Sequence, residues 1–118
     1  METVITLSKL RSMSKRLPGS REEPSYGTPG FKVARKLYAR WHQEEDAIVV
    51  LLNSVEEQAD LIAANPDTFY ITNHYAGYAA VLVRPDIPDD AFFELLEHAW
   101  HRVARTKDLR EYEARNEQ

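Results

Sequence analysis

The sequence contains no cysteine, only four glycines among its 118 residues, and no long hydrophobic run. Without cysteine the chain has no disulfide, no thiolate zinc site and no cysteine nucleophile. No phosphate-binding glycine loop and no G-x-S-x-G motif occurs. The longest apolar runs, residues 47–52 and 78–83, are far shorter than the roughly 20 residues of a membrane-spanning helix. Residues 1–16 also lack a signal-peptide pattern, so we expect a cytoplasmic protein. Because the motifs of these catalytic sites are missing, we expect that it is not an enzyme.

The length and composition are those of one small globular domain. A chain of 118 residues leaves room for one hydrophobic core, and we expect a single domain over residues 1–118. Hydrophobic residues make up 43% and charged residues 29% of the sequence, which is ordinary for a folded protein. Such a chain buries about two thirds of its unfolded surface, so it can fold without a metal ion or a disulfide.

Charge is distributed unevenly along the chain. The net charge is −4, which by itself argues against a nucleic-acid-binding protein. Residues 1–52, however, hold nine lysine or arginine residues against six acidic ones, a net of +3, whereas residues 53–118 hold six against thirteen, a net of −7. Such a distribution can present a basic face to an anionic partner, and an unevenly charged solvated surface explains it equally well.

The N-terminal residues have the spacing of an amphipathic helix. Over residues 3–16, apolar side chains recur every three or four positions, at Val4, Leu7, Leu10, Met13 and Leu17. Pro18 and Gly19 then end the predicted helix. The following segment, residues 20–30, is rich in proline, glycine and serine and predicts a structured loop with one short strand at Tyr26.

Three strands are predicted next. Residues 31–33 and 37–41 alternate apolar and polar side chains, and the three residues between them, Ala34-Arg35-Lys36, predict a tight hairpin. Residues 47–52 are apolar and rich in β-branched side chains, which favours a central strand. We expect the three strands to form an antiparallel meander.

A helix and a second hairpin follow this meander. Ser54 and Glu57 match a capping box, which predicts a helix that ends at about Ala64, with Leu61 and Ile62 on its buried side. The chain then predicts two further strands around a loop, in the order 68–72 (strand), 73–77 (loop) and 78–84 (strand).

The C-terminal part predicts a long helix. Pro88 suits the first turn, and the carboxylates of Asp89 and Asp90 complement the positive end of the helix dipole. Apolar side chains then recur at helical spacing and are expected to pack on the sheet: Phe92, Leu95, Leu96, Ala99, Trp100 and Val103. From Thr106 the chain is charged, and we expect only a frayed helical turn around residues 109–112.

Together these elements predict an α+β domain. Its antiparallel sheet has five to six strands, with helices at the N- and C-terminus and one helix between the two groups of strands.

Four segments, in order and at compatible spacing, resemble the MmcQ/YjbR family over nearly the whole chain. They are residues 17–19 (LPG), 27–33 (GTPGFKV), 67–78 (DTFYITNHYAGY) and 97–104 (EHAWHRVA). The resemblance implies a CyaY-like fold in which two β-hairpins project as a double wing that is proposed to bind DNA. At the first hairpin turn Ala34-Arg35-Lys36 replaces a glycine-rich turn, and residues other than glycine disfavour positive φ angles.

The first hairpin is the first candidate nucleic-acid-binding site. It carries four cations, with Tyr38 and Trp41 between them: Lys32, Arg35, Lys36 and Arg40. Cations on a β-ribbon can meet phosphate groups, and an aromatic ring can stack on a base. Lys32, Lys36 and Arg40 share one face only if the turn preserves the register. The alternative is a solvated hairpin whose lysines protect an edge strand.

The loop around His74 is the second candidate site. His74 and Tyr75 can contact a phosphate, a base or a partner protein, and Arg84 adds a cation at the end of the next predicted strand. The alternative is a structural role, in which Tyr75 and Tyr78 pack at the edge of the core, Gly77 supplies a backbone angle and His74 bonds a carbonyl.

His98 and His101 are spaced so that two imidazoles could share a metal ion on one helix. No third ligand of obvious spacing follows, and Glu94 or Glu97 would be needed to complete the site. We therefore predict no metal site and no cofactor.

The sequence thus predicts a non-enzymatic domain that binds DNA with little sequence preference through the basic hairpin, aided by Arg84 and the His74–Tyr75 loop. The alternative is a protein-interaction module that uses the loop of residues 74–78 and an exposed strand edge.

Overall fold

The structure is a computed structural model of the chain and describes residues 4–117. Six strands form one antiparallel sheet in the order β1-β2-β3-β4-β6-β5. The elements are α1 (Leu7–Ser14), β1 (Ser20–Ser25), β2 (Thr28–Val33), β3 (Lys36–His42), β4 (Ala47–Leu51), α2 (Val55–Ala64), β5 (Phe69–Tyr70), a 3-10 helix (Asn73–Tyr75), β6 (Ala80–Val83), α3 (Asp89–Val103) and α4 (Thr106–Asn116). The predicted α+β class with an antiparallel sheet is confirmed. Within residues 4–117, no helix combines the length and the apolar character needed to cross a membrane.

One face of the sheet, which we call the first face, is covered by α1 and α3 and holds the main hydrophobic core. Phe31 of β2 and Ile48 of β4 belong to one buried cluster with Phe92 and Trp100 of α3, and all four are fully buried. The Trp100 indole Nε1 donates to the carbonyl of Pro18 at 2.9 Å, so the polar atom of this buried ring is paired. The apolar positions of the long C-terminal helix therefore pack on the sheet, as predicted.

The opposite face of the sheet, which we call the second face, carries a smaller apolar cluster. The strand register places Arg40 opposite Val49 and Val49 opposite Leu82, so these three side chains share the second face. Tyr70 and Tyr75 pack against this cluster. Because Tyr75 comes from the connection between β5 and β6, that loop covers part of the second face.

A β-bulge interrupts the pairing of β2 with β3. Phe31 pairs with Ala39 and Lys32 pairs with Leu37, which leaves Tyr38 as an extra residue in β3. Tyr38 is fully buried, and this burial raises its pKa to about 12. The alternation of side chains along β3 is therefore reversed across the bulge.

The bulge divides the cations of the hairpin between the two faces. Gly30 pairs with Arg40, so Lys32, two residues after Gly30, shares the second face with Arg40. Lys36 pairs with Val33, which is a core residue, and therefore lies on the first face. The sequence left this register open, and the structure separates Lys36 from the other two cations.

The segment predicted as a loop with a strand at Tyr26 contains a full strand, and this prediction was wrong. Residues 20–25 form β1, and Tyr26 with Gly27 forms the two-residue turn before β2. The polar sequence of this edge strand hides it from a search for apolar alternation. Tyr26 and Gly27 have positive φ angles of 55° and 77°, and Ala34 in the next turn has a φ angle of 54°. The meander therefore has four strands, and its second turn forms without glycine.

Several predicted boundaries differ from those of the structure. The strands expected at 68–72 and 78–84 are shorter, and the 3-10 helix of residues 73–75 lies in the loop between them. The helix α1 begins at Leu7, whereas residue 3, where the predicted helix began, lies outside the described residues.

The helix α2 begins and ends where the sequence predicted. The Ser54 hydroxyl accepts a hydrogen bond from the backbone N–H of Glu57 at 3.1 Å. The Glu57 carboxylate accepts from the backbone N–H of Asn53 at 3.2 Å, one residue earlier than in the predicted capping box. Leu61 and Ile62 pack against the core, as expected.

An eleven-residue helix, α4, replaces the frayed turn that the sequence predicted, and this prediction was wrong. Asp108 is only 4% exposed, and its carboxylate accepts from the backbone N–H of Arg105 at 2.9 Å and from its Nε at 2.8 Å. The hydrogen bond from the Arg105 guanidinium is the main reason why the pKa of Asp108 lies below its usual range. Tyr112 packs edge-on against Trp100, with 4.9 Å between the ring centroids. These two anchors hold a charged segment in helical form.

Candidate anion-binding site

A cavity of about 420 Å³, which we call the Arg40 cavity, opens on the second face, where β3 and the β5–β6 loop line it. Arg102, from the C-terminal end of α3 on the other side of the sheet, joins this lining beside the Leu37 carbonyl. Its lining combines apolar, aromatic and basic side chains and includes no aspartate or glutamate: Tyr26, Leu37, Arg40, Val49, Leu51, Leu52, His74, Tyr75, Tyr78, Ala79, Ala80 and Arg102. Cavities of this size with a few polar groups are typical ligand sites. Two arginines without a carboxylate among these residues favour an anion.

Arg40 is the buried cation of this cavity, at 8% exposure. Its Nη1 donates to the Thr28 hydroxyl at 3.0 Å, and its Nη2 donates to the Tyr75 hydroxyl at 2.5 Å. Both acceptors are neutral, and none of the ion pairs formed within residues 4–117 includes Arg40. A guanidinium has five N–H donors, so donors remain for an anionic ligand.

The hydroxyl partners of Arg40 differ in what they still offer. The Thr28 hydroxyl donates its own proton to the carbonyl of Ser25 at 3.1 Å. The Tyr75 hydroxyl accepts from Arg40 and keeps its proton for a second acceptor. Tyr75 therefore adds a neutral donor beside the Arg40 guanidinium.

A buried glutamine fixes the loop that carries Tyr75. Gln58 of α2 is 5% exposed, and its Nε2 lies 3.2, 2.8 and 2.7 Å from the carbonyl oxygens of Tyr75, Tyr78 and Ala80, respectively. One amide group thus holds the second half of the loop, together with the start of β6, against α2. No local sequence pattern indicates this role of Gln58.

The aromatic residues of the loop form a small stack at the mouth of the cavity. The His74 ring lies edge-on to Tyr75 at 4.9 Å and parallel to Tyr78 at 6.2 Å between centroids. In the alternative, structural role of the loop, both Tyr75 and Tyr78 pack at the edge of the core. Tyr75 does pack on the second-face cluster, whereas Tyr78 is 62% exposed. Gly77 has a φ angle of 84° and supplies the backbone angle expected of it.

Tyr26 lies on the other side of Arg40. The guanidinium carbon of Arg40 is 5.4 Å from the centroid of the Tyr26 ring, which is 89% exposed. Tyr26 and Arg40 also line a neighbouring recess of about 410 Å³, which includes His42 and Glu44. Glu44 is the carboxylate of that recess, and it is not ion-paired with Arg40 in the structure.

The structure brings three of the seven predicted site residues together, namely Arg40, His74 and Tyr75. Lys32 shares the second face with them, and its Nζ lies 3.5 Å from the Glu23 carboxylate. Arg35 is exposed in the β2–β3 turn and does not line the cavity. Lys36 is exposed on the first face.

Arg84 lies apart from the other predicted cations. It follows β6 at the end of the sheet where Val83 pairs with Ile48, whereas the β2–β3 turn lies at the opposite end. Its guanidinium carbon is 4.3 Å from the centroid of the Tyr70 ring. Burial, followed by the neighbouring Glu45 carboxylate, raises the pKa of Tyr70 to about 12. Arg84 therefore belongs to a separate cluster.

The two aromatic residues predicted to lie between the hairpin cations do not reach the second face. Tyr38 is fully buried in the main core, and Trp41 packs against that core. Neither ring is placed to stack on a ligand at the Arg40 cavity.

Three residues of the site were missed by the sequence analysis. Tyr26 and Tyr78 were interpreted as a strand residue and a core-edge residue, and Arg102 was not singled out. Arg102 comes from the last turn of α3, and its Nη2 donates to the carbonyl of Leu37 at 3.1 Å. The sequence signal for Tyr26 was its place before Gly27, which is typical of a turn that leaves a side chain exposed.

The predicted histidine pair lies elsewhere, beside a cavity of about 510 Å³ between α2 and α3. His98 Nε2 is 3.1 Å from Glu57 Oε2, while the His101 ring packs edge-on against Trp100 at 5.0 Å. Within residues 4–117, no three acidic or histidine side chains are grouped closely enough to hold a metal ion. This cavity is lined by three glutamates, in contrast to the Arg40 cavity.

Comparisons with known proteins agree with this architecture. A family model described as YjbR matches residues 15–102 of the chain. The fold is similar to that of the Deinococcus radiodurans protein DR2400, a DUF419 domain known from a crystal structure, with a TM-score of 0.73 and 23% sequence identity over 95% of this chain and 91% of that chain. At this identity the likeness concerns the fold alone. No curated protein matches the sequence.

Proposed function

This chain belongs to the YjbR family, and from that premise and the geometry of the second face we propose that it is a non-enzymatic domain that binds nucleic acid through phosphate contacts. The observation that carries the proposal is the charge of the Arg40 cavity. Arg40, Arg102 and His74 line it without a carboxylate, although the chain as a whole has a net charge of −4. Local charge rather than net charge governs where a polyanion binds.

The binding surface extends from the cavity along the first hairpin. Lys32, opposite the cavity residue Leu37, is already paired with the Glu23 carboxylate at 3.5 Å. The exposed Arg35 of the adjoining turn, which forms no ion pair within residues 4–117, is therefore the cation that extends this surface. Contacts of this kind go to phosphate groups, which carry no sequence information, so we expect little sequence preference. We place DNA first among the partners and the cytoplasm as the compartment, which the lack of cysteine suits.

The composition of the cavity supports binding rather than catalysis. Its lining residues include no carboxylate, serine, threonine, lysine or cysteine. A nucleophile paired with a general base would therefore have to be built from His74 and tyrosines alone. The arginines and exposed rings suit recognition of an anionic, aromatic ligand.

The alternative function, a protein-interaction module, needs a free strand edge, and both edges of the sheet are protected. The edge strand β1 contains Pro24 together with the charged residues Arg21, Glu22 and Glu23. The other edge strand, β5, has only two residues. Proline, charge and short length are the features by which sheets avoid edge pairing, so this alternative has less support.

The proposal is tested by a fluorescence-anisotropy titration of labelled DNA at low salt. We expect a dissociation constant on the order of micromolar or weaker that rises steeply with salt concentration. Arg35→Glu should weaken binding, whereas Arg84→Glu, with the same change in charge at the other end of the sheet, should have little effect. If DNA does not bind at low salt, or if the two variants bind as the wild type does, the proposal fails.

A further inference from the structure

We infer that the Arg40 cavity is a phosphate subsite for an unpaired nucleotide, so that the domain binds single-stranded nucleic acid in preference to a duplex. This inference rests on the proposed function and adds the class of nucleic acid. Four features of the cavity lead to it: a buried charge without an ion-pair partner, adjacent hydrogen-bond donors, two exposed rings and limited access.

The first feature is the charge of Arg40. A buried cation is normally paired with a carboxylate, because a charge taken out of water is costly unless an opposite charge compensates it. In the described part of the chain, the side chain of Arg40 hydrogen-bonds only to the hydroxyls of Thr28 and Tyr75 and has no carboxylate partner. A bound phosphate would supply the missing opposite charge.

The second feature is the geometry of the donors. Guanidinium groups match the spacing of phosphate oxygens and bind them in a bidentate manner. Beside Arg40, the Tyr75 hydroxyl still holds its proton. Arg102 also lines the cavity, where its Nη2 donates to the carbonyl of Leu37. The adjacent Arg40 guanidinium and Tyr75 hydroxyl suit a phosphate better than a carboxylate, since a phosphate offers more acceptor oxygens.

The third feature is the pair of exposed rings. Tyr26 and Tyr78 are 89% and 62% exposed, which is unusual for large aromatic side chains in a small domain. Both line the cavity that contains Arg40. Aromatic rings beside a phosphate-binding cation are how single-stranded nucleic acids are held, because each base stacks on a ring irrespective of sequence.

The fourth feature is access. Arg40 is only 8% exposed and lies within a cavity on the sheet, so a phosphate must enter that cavity to reach it. A duplex is stiff over the length of this domain, and its bases are stacked inside and cannot meet the tyrosines. An unpaired nucleotide can place its phosphate on Arg40 and its base on Tyr26 or Tyr78.

The test compares a labelled oligothymidylate with a labelled duplex of the same length, using the full chain in one low-salt buffer. We expect the wild type to bind the single strand at least about tenfold more tightly than the duplex. Arg40→Gln should remove most of that preference. Arg84→Gln is the matched control, since Arg84 also lies over a tyrosine ring but outside the cavity, and it should retain the preference.

Tyr78→Ala keeps the inference testable if Arg40→Gln does not fold, because the exposed Tyr78 side chain can be removed without disturbing the core. It should weaken binding of the single strand about fivefold or more and leave duplex binding unchanged. Equal affinity for the two forms of DNA, or a preference that survives both substitutions, would overturn the inference and leave nucleic-acid binding intact. Failure to bind either form would remove the proposed function as well.

Discussion

The Tyr75 hydroxyl accepts a hydrogen bond of 2.5 Å from Nη2 of Arg40, although 35 residues separate the two in the sequence. The contact joins the β5–β6 loop to β3 and orients the guanidinium within its cavity. Because the tyrosine accepts from Arg40, its own proton is available for a ligand in the cavity. The two side chains therefore form one unit for binding an anion.

Tyr75→Phe tests this unit. The substitution removes both the acceptor for Arg40 and the donor for the ligand, so we expect oligothymidylate affinity to fall about three- to tenfold. The free energy of unfolding should fall by about 1 kcal/mol, as for the loss of one hydrogen bond. Anisotropy and urea unfolding measure the two effects.

Tyr70→Phe is the control for Tyr75→Phe. The Tyr70 hydroxyl donates to the Glu45 carboxylate at 2.9 Å and lies outside the Arg40 cavity. We expect a similarly small loss of stability and no change in DNA binding. If both variants bind DNA equally well, Tyr75 has only a structural role.

Tyr26 should make the fold less stable than asparagine would at the same position. It is an exposed aromatic residue with a φ angle of 55°, in a two-residue turn that asparagine followed by glycine would form with less strain. Tyr26→Asn should therefore raise the free energy of unfolding by about 0.5–1 kcal/mol and weaken binding of the single strand. Thermal unfolding and anisotropy on the same samples measure this exchange of stability for affinity.

Ala34→Asn provides the matched control, because Ala34 also begins a two-residue turn and has a φ angle of 54°. We expect no change in affinity, since Ala34 does not line the cavity. The gain in stability should be smaller than for Tyr26→Asn, because Arg35, unlike Gly27, lacks the positive φ angle that the asparagine–glycine type of turn needs at its second position. A Tyr26→Asn variant that binds as tightly as the Ala34→Asn variant would show that the Tyr26 ring takes no part in binding.

The sequence predicted the fold better than it predicted the site. The reason is that helices and strands follow from local sequence patterns, whereas the site depends on contacts between residues far apart in the sequence. Helical spacing and β-branched runs are local patterns, so α3, β4 and the first hairpin were identified. The bulge at Tyr38 depends on how a buried ring fits the core, and it decides that Lys36 and Arg40 lie on different faces. Arg102 reaches the cavity only through the packing of α3, a contact that no local pattern encodes.

The missed elements have a related explanation. The edge strand β1 is polar, and α4 is charged, so neither shows the apolar periodicity from which elements are predicted. Each is held by specific partners instead. In α4 these are the Asp108 carboxylate, which binds the backbone of Arg105, and the Tyr112 ring, which packs on Trp100.

Gly19 is where α4 meets the rest of the domain most closely. It has a φ angle of 80°, and a Cβ at this position would lie 2.6 Å from Oδ1 of Asp108. Gly19→Ala should therefore lower the free energy of unfolding by about 2–4 kcal/mol, through backbone strain and the loss of space for the carboxylate. Gly77→Ala measures the backbone strain alone, because Gly77 has a φ angle of 84° and a Cβ there would meet no atom within 4 Å. This substitution should lower the free energy of unfolding by about 1 kcal/mol. Equal losses in urea unfolding would show that Asp108 moves aside freely.

The stability that Asp108 contributes should depend on pH. The Arg105 hydrogen bonds lower the pKa of Asp108 in the folded state. The ionised carboxylate therefore stabilises the fold fully above the pKa of the unfolded state, which is about 3.9. This contribution is lost as the pH falls through the lower pKa of the folded state. Asp108→Asn should cost about 1–2 kcal/mol at neutral pH and progressively less in acid. Urea unfolding of both proteins from neutral to acidic pH measures the difference.

Glu22→Gln is the comparison, because Glu22 also has a lowered pKa, caused mainly by its hydrogen bond from Arg11, but lies in an exposed ion pair. Glu22→Gln should change the free energy of unfolding little at any pH. If the difference in the free energy of unfolding between wild type and Asp108→Asn did not become smaller in acid, the stabilising role of the ionised Asp108 would be contradicted.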